Sequence, residues 1–321
     1  MKRTQAEERW RTPPRWPVRR APRPRDELVW HYTDRRGFEG IVASHTLWAT
    51  STDSLNDSSE LTFGLDDLMA HWRSIRPQLR DDAPVAEMDK WLEAACIRLR
   101  SQDTFVVCAS TTVDSLVHWR SYIGDDQTQG FAIGLKDGFE FRALQPDAAE
   151  AMFQPDFVPA LFWTDVTYGS RRDWRFASNY WDPYRRLVDN TLTALEALRA
   201  GRVPDVPGQM DVLDRDLLMA VLTTKHGAYS SEEECRLVVV GAPGYSWPRA
   251  GRYGPQQIVT LTAANEESEI TEYSTPRVSP LPIAKVMTGP WNPPSHVPWA
   301  TDFLRAHGYD ATVSSSEIPT R

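Results

Sequence analysis

The chain has 321 residues, of which 41% are hydrophobic, 11% aromatic and 25% charged. These values are ordinary for a folded globular protein and exclude a wholly disordered chain. No apolar run approaches the about 20 residues that a membrane-spanning helix needs, so we expect no membrane partner. The net charge of −8 is uneven, because residues 1–25 hold nine Lys/Arg against two Glu while the remainder holds 27 Lys/Arg against 42 Asp/Glu. A body this acidic is poorly suited to broad binding of duplex nucleic acid.

The first residues differ in composition from the rest of the chain. Residues 1–26 contain five prolines among the arginines and no hydrophobic period, which predicts a basic Pro/Arg-rich arm. We expect residues 27–321 to form a single α+β domain with a helical insertion near 172–226. Three cysteines without a C-x-x-C pair, and no apolar segment after Arg19-Arg20, predict reduced thiols in a cytoplasmic protein.

Strands and helices alternate irregularly along the chain. Short apolar runs predict strands at 28–33, 46–50, 104–110, 130–135, 235–240, 257–262, 283–288 and 310–315, with one or two more within 157–168. Helical spacing predicts helices at 61–77, 84–99, 187–198, 213–227 and 298–307, and a short helix capped by Asp114 or Ser115. This mixture lacks a regular βαβ repeat and therefore favours an α+β fold.

The first candidate site is His31-Tyr32-Thr33 in the first predicted strand. Alternation places His31 and Thr33 on one face of the strand and Trp30 and Tyr32 on the other. A histidine and a hydroxyl on one face can hold a ribose or an amide by hydrogen bonds. A purely structural histidine near a strand end is the competing explanation.

A second candidate is the acidic run that leads into the strand at 235–240. Cys235 takes the core face of that strand, whereas Glu232, Glu234 and Arg236 share the opposite face. Carboxylates that lead into an apolar strand are unfavourable on burial unless their face lines a polar cleft. The alternative is an exposed edge on which Glu234 and Arg236 merely pair.

A third candidate combines Ser110, at the end of a predicted buried strand, with Trp119 and Tyr122 on the following helix. Rings at positions i and i+3 share a helix face. They can stack on a nicotinamide or adenine ring, or pack as ordinary core.

Several other chemistries lack their motifs. The chain has no G-x-G-x-x-G or Walker A loop and no G-x-S-x-G turn. Its seven histidines show no zinc-type spacing. We therefore expect no metal site and no Rossmann-type dinucleotide site.

Six separated motifs across roughly residues 28–321 resemble, in the same order, the bacterial domain-of-unknown-function family 2971. They are WHYTDRRGFEGIVASHTLWATSTDSLND, FVVCAS, SLVHWRSY, QGFAIGL, TKHGAYSSEEECRLVV, and IAKVMTGP with the final SSSEIPTR.

The same start also resembles the ADP-ribosyltransferase fold, which opens with a strand carrying H-x-T and uses a later aromatic residue and a Glu on a later strand. The matching positions are His31 and Thr33, then Tyr122 or Trp119, then Glu234 or Glu232. The resemblance implies an ADP-ribosyltransferase-like split β-sheet core with surrounding helices, which holds NAD in a central cleft.

The resemblance implies an enzyme that cleaves the nicotinamide–ribose bond of NAD and transfers ADP-ribose to an acceptor, which is a protein, a nucleic acid or a small molecule. Glu234 would stabilise positive charge on the ribose, and Glu232 would orient the acceptor. The implied NAD-binding residues are His31, Thr33, Ser110, Trp119, Tyr122 and Arg236. Because Gln is isosteric with Glu, Glu234→Gln is expected to keep the fold and remove NAD cleavage.

Two other functions fit the sequence. One is a non-catalytic module of the same fold that binds a nucleotide or a partner protein. The other is an enzyme that acts on nucleic acid, in defence or as a toxin, with residues 1–25 as its phosphate-binding arm.

Overall fold

The computed structural model describes residues 28–54, 59–78, 83–101, 103–123, 129–144, 161–169, 217–240, 245–251, 254–264 and 278–319. The predicted arm at 1–26, the predicted helix at 187–198 and most of the predicted insertion near 172–226 lie outside these residues. The chain divides into two compact units. The larger comprises residues 20–55, 104–166 and 229–321, and the smaller includes residues 56–103 and 167–228.

Thirteen strands occur within the described ranges. In chain order they are β1 (Leu28–Asp34), β2 (Leu47–Ser51), β3 (Thr104–Ser110), β4 (Gly130–Lys136), β5 (Phe141–Leu144), β6 (Thr164–Asp165), β7 (Thr167–Gly169), β8 (Thr224–His226), β9 (Glu234–Val240), β10 (Ser246–Gly251), β11 (Gly254–Ala263), β12 (Ile283–Thr288) and β13 (Thr312–Ser315). All but β7 and β8 belong to one sheet in the larger unit. Its described pairs are antiparallel except for the parallel pair of β12 and β13.

Five helices have both ends described. They are α1 (Arg35–Ser44), α2 (Ser59–Ile75), α3 (Ala83–Ser101), α4 (Leu116–Ser121) and α5 (His296–Ala306). Residues 217–222 are also helical, and short 3₁₀ turns occupy Thr52–Ser54, Arg76–Gln78 and Gly227–Glu232. A large, mostly antiparallel sheet with helices confirms the predicted α+β class.

The layout of the large sheet depends on β3. Along one edge β3 pairs with β9 over its whole length, from Thr104 opposite Val240 to Ser110 opposite Glu234. Along the other edge it pairs with β2 only at its start and with β1 only at Ser110. The two neighbours therefore meet β3 at opposite ends, and no strand pair is described at residues 107–109 on that edge.

One face of the sheet is covered by α1 and α5. Phe38 and Val42 of α1 and Ala300 and Leu304 of α5 are fully buried in the main hydrophobic cluster. The ring of Phe38 stacks on Phe131 of β4 with centroids 4.6 Å apart. Burying such a side chain is worth about 1.5–3 kcal/mol, so this face supplies much of the stability of the larger unit.

The opposite face carries a smaller aromatic cluster beside α4. It contains Trp30 and Tyr32 of β1 and the fully buried Trp119 of α4. Asp114 has a left-handed backbone (φ 55°) and fixes this helix, because its Oδ1 accepts a hydrogen bond from the Trp119 indole at 2.8 Å. The same carboxylate accepts from Ser316 Oγ at 2.5 Å and from the Glu317 backbone N–H at 2.8 Å. It therefore joins α4 to the segment that follows β13.

We predict that Asp114→Asn lowers the free energy of unfolding by about 1–3 kcal/mol, since Asn tolerates the left-handed backbone but turns an N–H toward one of three donors. Urea denaturation of the purified protein measures the change. Asp302→Asn is the control, because its ion pair with Arg305 is about three-quarters exposed, and its effect should stay within about 0.5 kcal/mol. Equal midpoints for the two variants would contradict the role of Asp114.

The smaller unit has its own described core. Leu65, Leu68 and Trp72 of α2 are buried, as are Trp91 and Leu92 of α3. The Trp72 indole donates to Asp89 Oδ1 at 2.7 Å, so the two helices are joined by a polar contact as well as by packing. The short strands β7 and β8 pair in parallel, and β8 contacts α2.

The structure departs from the sequence predictions in three places. Residues 224–226 form strand β8, whereas the pattern predicted a helix that continues to Gly227. Strands β5 and β10 were not predicted. Strand β10 contains Pro248 but lies at the end of the sheet, where a proline is tolerated. Among the described helices, none is long and apolar enough to cross a membrane.

Candidate functional site

A cavity of about 170 Å³ lies where β1 and β2 separate along β3. Every described residue of its lining belongs to the larger unit. The lining residues are Trp30, His31, Tyr32, Trp48, Thr50, Val106, Val107, Cys108, Ala109, Ser110, His118, Tyr122, Glu232 and Glu234.

A buried ion pair stands at one wall of this cavity. Arg236 Nε donates to Glu234 Oε1 at 2.7 Å and Arg236 Nη2 donates to Glu234 Oε2 at 3.0 Å. Both side chains are at most 3% exposed. A two-point guanidinium–carboxylate contact fixes the orientation of the carboxylate. A charge pair of this kind gives little net stability compared with apolar residues of similar size, so its presence points to a role other than stability.

A strained turn brings a second carboxylate to the same cavity. Glu233 has φ 40°, a left-handed conformation that costs a non-glycine residue about 1–2 kcal/mol. Its side chain accepts hydrogen bonds from Thr112 Oγ1 at 2.6 Å and from Thr111 Oγ1 at 3.3 Å, and its carbonyl accepts from the Thr111 N–H. These contacts hold the kink, and both of its neighbours, Glu232 and Glu234, line the cavity.

His31 occupies the gap in the sheet. Its Nδ1 lies 2.9 Å from the carbonyl oxygen of Cys108, in the part of β3 that has no described strand partner on that edge. Since a carbonyl only accepts, Nδ1 carries the proton and donates. Burial lowers the pKa of His31, and the bond to Cys108 opposes this only in part. A neutral ring with its proton on Nδ1 leaves Nε2 as an acceptor.

His118 of α4 is a site residue that the sequence analysis missed. It is 2% exposed, and its ring lies between Tyr32 and Tyr122, with centroid distances of 4.7 and 5.8 Å. Its Nε2 donates to the Glu232 carbonyl oxygen at 2.9 Å, while its buried Nδ1 has no hydrogen-bond partner within the described structure. Burial lowers the pKa of His118, although Glu232, Glu234 and Glu233 act in the opposite direction.

Five of the eight predicted site residues line the cavity. They are His31, Ser110, Tyr122, Glu232 and Glu234. Ser110 Oγ donates to the Glu232 carbonyl at 2.9 Å, and Tyr122 OH donates to Glu232 Oε2 at 3.3 Å. The structure therefore brings together residues that lie up to 203 positions apart in the chain.

The other three predicted residues lie elsewhere. Trp119 is fully buried in the cluster beside α4 and does not line the cavity, whereas Tyr122 does, so the proposed stacking role on a ligand is assigned to Tyr122. Thr33 does not line the cavity, and its hydroxyl fills the space that a Cβ at Gly37 would need. Arg236 is behind Glu234 and 1% exposed, which fits holding that carboxylate and does not fit contact with a pyrophosphate.

The rest of the lining combines aromatic side chains with aliphatic and small ones. Trp30, Tyr32 and Trp48 line the cavity but were not selected from the sequence. Trp48 could have been found, because the alternation of β2 places it on the face opposite the buried Leu47 and Ala49. Among the described residues, no group of three or more His, Cys, Asp or Glu side chains is placed to hold a metal ion.

Comparison with protein-family models, with curated proteins and with solved structures found no match for this chain. The interpretation of the cavity therefore depends on its own geometry.

We predict that Glu234→Gln costs about 3–5 kcal/mol of folding free energy, because it leaves Arg236 buried without its charge partner. The isosteric change keeps the shape of the side chain but removes the negative charge that pairs with Arg236. Glu140→Gln is a matched control with the same Glu-x-Arg spacing, since its pair with Arg142 at 3.0 Å is about one-third exposed and should be worth about 0–1 kcal/mol. Chemical denaturation of Glu140→Gln, of the single variants Glu234→Gln and Arg236→Gln, and of the double variant gives the coupling between Glu234 and Arg236, and strictly additive losses would contradict it.

A second prediction concerns how the free energy of unfolding depends on pH. Because the folded-state pKa of His31 and His118 lies below the unfolded value of about 6.5, the unfolded chain binds more protons, and stability falls as the pH drops from about 7.5 to about 5.5. His31→Asn and His118→Gln each keep an N–H donor near the original position but cannot titrate. Unfolding free energies measured across this range should change less steeply in both variants, and profiles parallel to wild type would refute the assignment.

Proposed function

We propose that the protein is an ADP-ribosyltransferase-like enzyme that cleaves the nicotinamide–ribose bond of NAD and transfers ADP-ribose to an acceptor still to be identified. The observation that carries this proposal is the Glu234 carboxylate, held by Arg236 at the wall of a cavity that His31 and Tyr122 also line.

The divergence of β1 and β2 along β3 supports the proposal. A sheet that opens between two strands is what the resemblance to the ADP-ribosyltransferase fold implies, with the ligand held at the opening. The cavity lies at that opening, and His31 of the H-x-T motif lines it.

The chemistry requires a carboxylate in a fixed position. Breaking the nicotinamide–ribose bond places positive charge on the ribose in the transition state. A preorganised negative group stabilises this charge more in the transition state than in the ground state. Glu234 takes this role because Arg236 fixes its orientation, while Glu232, which is half-buried and hydrogen-bonded to Tyr122, is available to orient the acceptor.

The size of the cavity limits which part of NAD it holds. Pockets for drug-sized ligands measure about 300–1,000 Å³, so about 170 Å³ accommodates one ring or one sugar. In the proposed complex, the cavity holds the nicotinamide ring against Tyr122, and the adjoining ribose lies at its opening, where a hydroxyl donates to His31 Nε2. The adenine half of NAD then lies outside the cavity.

One observation favours a second function, a non-catalytic module that binds a nucleotide or a partner protein. Both oxygens of Glu234 accept hydrogen bonds from Arg236, and this neutralises part of the charge that the transferase mechanism uses. A site of this type binds a ligand without cleaving it. The third function considered, action on nucleic acid, relies on residues 1–25, which lie outside the described residues.

Incubation with NAD, followed by chromatographic measurement of released nicotinamide, tests the proposal. We expect release by the wild type, and a loss of about 10²–10³-fold in Glu234→Gln assayed where circular dichroism confirms that it is folded. Tyr122→Ala should also reduce the rate, whereas Tyr229→Ala, a tyrosine of similar exposure that does not line the cavity, should not.

The two candidate functions give different results in this experiment. NAD that binds in calorimetry but is not cleaved would support the binding module and refute the transferase. Absence of both binding and cleavage would refute the transferase and a module that binds NAD.

A further inference from the structure

The charged side chains that line the cavity are carboxylates. Glu232 and Glu234 contribute carboxylates, which when ionised only accept hydrogen bonds. No Lys or Arg occurs among the described lining residues. The nearest guanidinium along β9, that of Arg236, is 1% exposed and directs two N–H groups at Glu234.

The two histidines of the lining add no positive charge. Burial lowers the pKa of both, so each ring is neutral near pH 7. The N–H of His31 donates to the Cys108 carbonyl, and the N–H of His118 donates to the Glu232 carbonyl. Both rings therefore direct their donors into the protein.

Three hydroxyl groups around the cavity also donate their protons to protein oxygens. Ser110 donates to the Glu232 carbonyl, Tyr122 to the Glu232 carboxylate and Tyr32 to the Thr112 carbonyl. Neutral donors are present in the indoles of Trp30 and Trp48 and in the hydroxyl of Thr50, which also line the cavity. The preference of the cavity is thus set by its two carboxylates, with the charge of Glu234 partly neutralised by Arg236 and no Lys or Arg among the described lining residues.

The aromatic walls favour a flat ligand group. Four tryptophan and tyrosine rings line the cavity, and the face of an indole or phenol ring attracts a cation. Trp48 already makes one such contact, because the Arg249 guanidinium lies 3.7 Å from the centre of its ring, although Arg249 is not a lining residue. Aromatic faces combined with carboxylates are a favourable environment for a planar cation.

We infer that the cavity selects a planar organic cation that bears N–H donors, and that it excludes anions of the same shape. Two sources share this chemistry: a pyridinium ring with a carboxamide, and a guanidinium group. The inference rests on the proposed function in that it concerns the same cavity, but it predicts binding and does not require that NAD be cleaved.

Ligands of equal shape and different charge test the inference. The probes are the N-methylpyridinium form of nicotinamide, neutral nicotinamide and anionic nicotinate, with methylguanidinium as the second cation. Calorimetry and quenching of tryptophan fluorescence report binding to the full chain. We expect the pyridinium cation to bind about tenfold more tightly than nicotinamide, nicotinate to bind most weakly, and the difference to shrink at high salt.

Variants locate the preference at the cavity. Glu232→Gln should bring the affinities for the pyridinium cation and for neutral nicotinamide to a ratio near one. Glu140→Gln should leave this ratio unchanged, because Glu140 does not line the cavity. If methylguanidinium binds more tightly than the pyridinium probe, the guanidinium source is favoured, and the reverse order favours the pyridinium source.

Failure of this inference is distinguishable from failure of the proposed function. Preferential binding of the cations without release of nicotinamide from NAD would refute the transferase and support the inference. Cleavage of NAD with equal affinity for cation, neutral ligand and anion would refute the inference alone. Absence of binding by every probe, or an unchanged ratio in Glu232→Gln, would also overturn it.

Discussion

The carbonyl of Cys108 stands at an edge of β3 that neither adjacent strand completes. A buried carbonyl needs a donor, and in most sheets the next strand supplies it. Here β2 pairs with the start of β3 and β1 with its end, so the donor is the side chain of His31. Together with the pairing of Trp30 with Ser110, this contact holds β1 beside β3. The cavity lies where β1 and β2 separate along β3, and His31 lines it within that gap.

Alternation along β3 and β9 separates the core from the site. Odd-numbered residues of both strands, such as Val107 and Leu237, belong to the main hydrophobic cluster, while Ser110, Glu234 and Arg236 face the other way. A shift of one residue in the pairing of β3 with β9 would place a carboxylate in the apolar core, which is strongly unfavourable. The same hydrophobic pattern that builds the core therefore fixes the register that delivers Glu234 beside Ser110.

Much of this could be predicted from the sequence, and the failures have physical reasons. Strand alternation was enough to place Glu234 and Cys235 on opposite faces of β9, because the two-residue period is a property of the backbone alone. It could not separate Trp119 from Tyr122, since both positions suit a helix face and only packing beside β1 decides which ring is buried. Nor could it reveal the left-handed turn at Glu233, whose strain is held by Thr111 and Thr112 from a distant part of the chain. Long-range contacts of this kind leave no periodic signal.

The contact between Asp114 and residues 316–317 has a consequence for how the protein is made. Asp114 holds α4, which carries His118 and Tyr122, and its carboxylate is satisfied by groups 202 and 203 positions further along the chain. During synthesis, β1, β3 and α4 leave the ribosome long before those groups do. Until residue 317 has emerged, Asp114 lacks two of its partners and α4 is held only by its contacts with elements that precede residue 316. The cavity therefore reaches its final form late in translation, and the nascent chain carries an incomplete site through most of its synthesis.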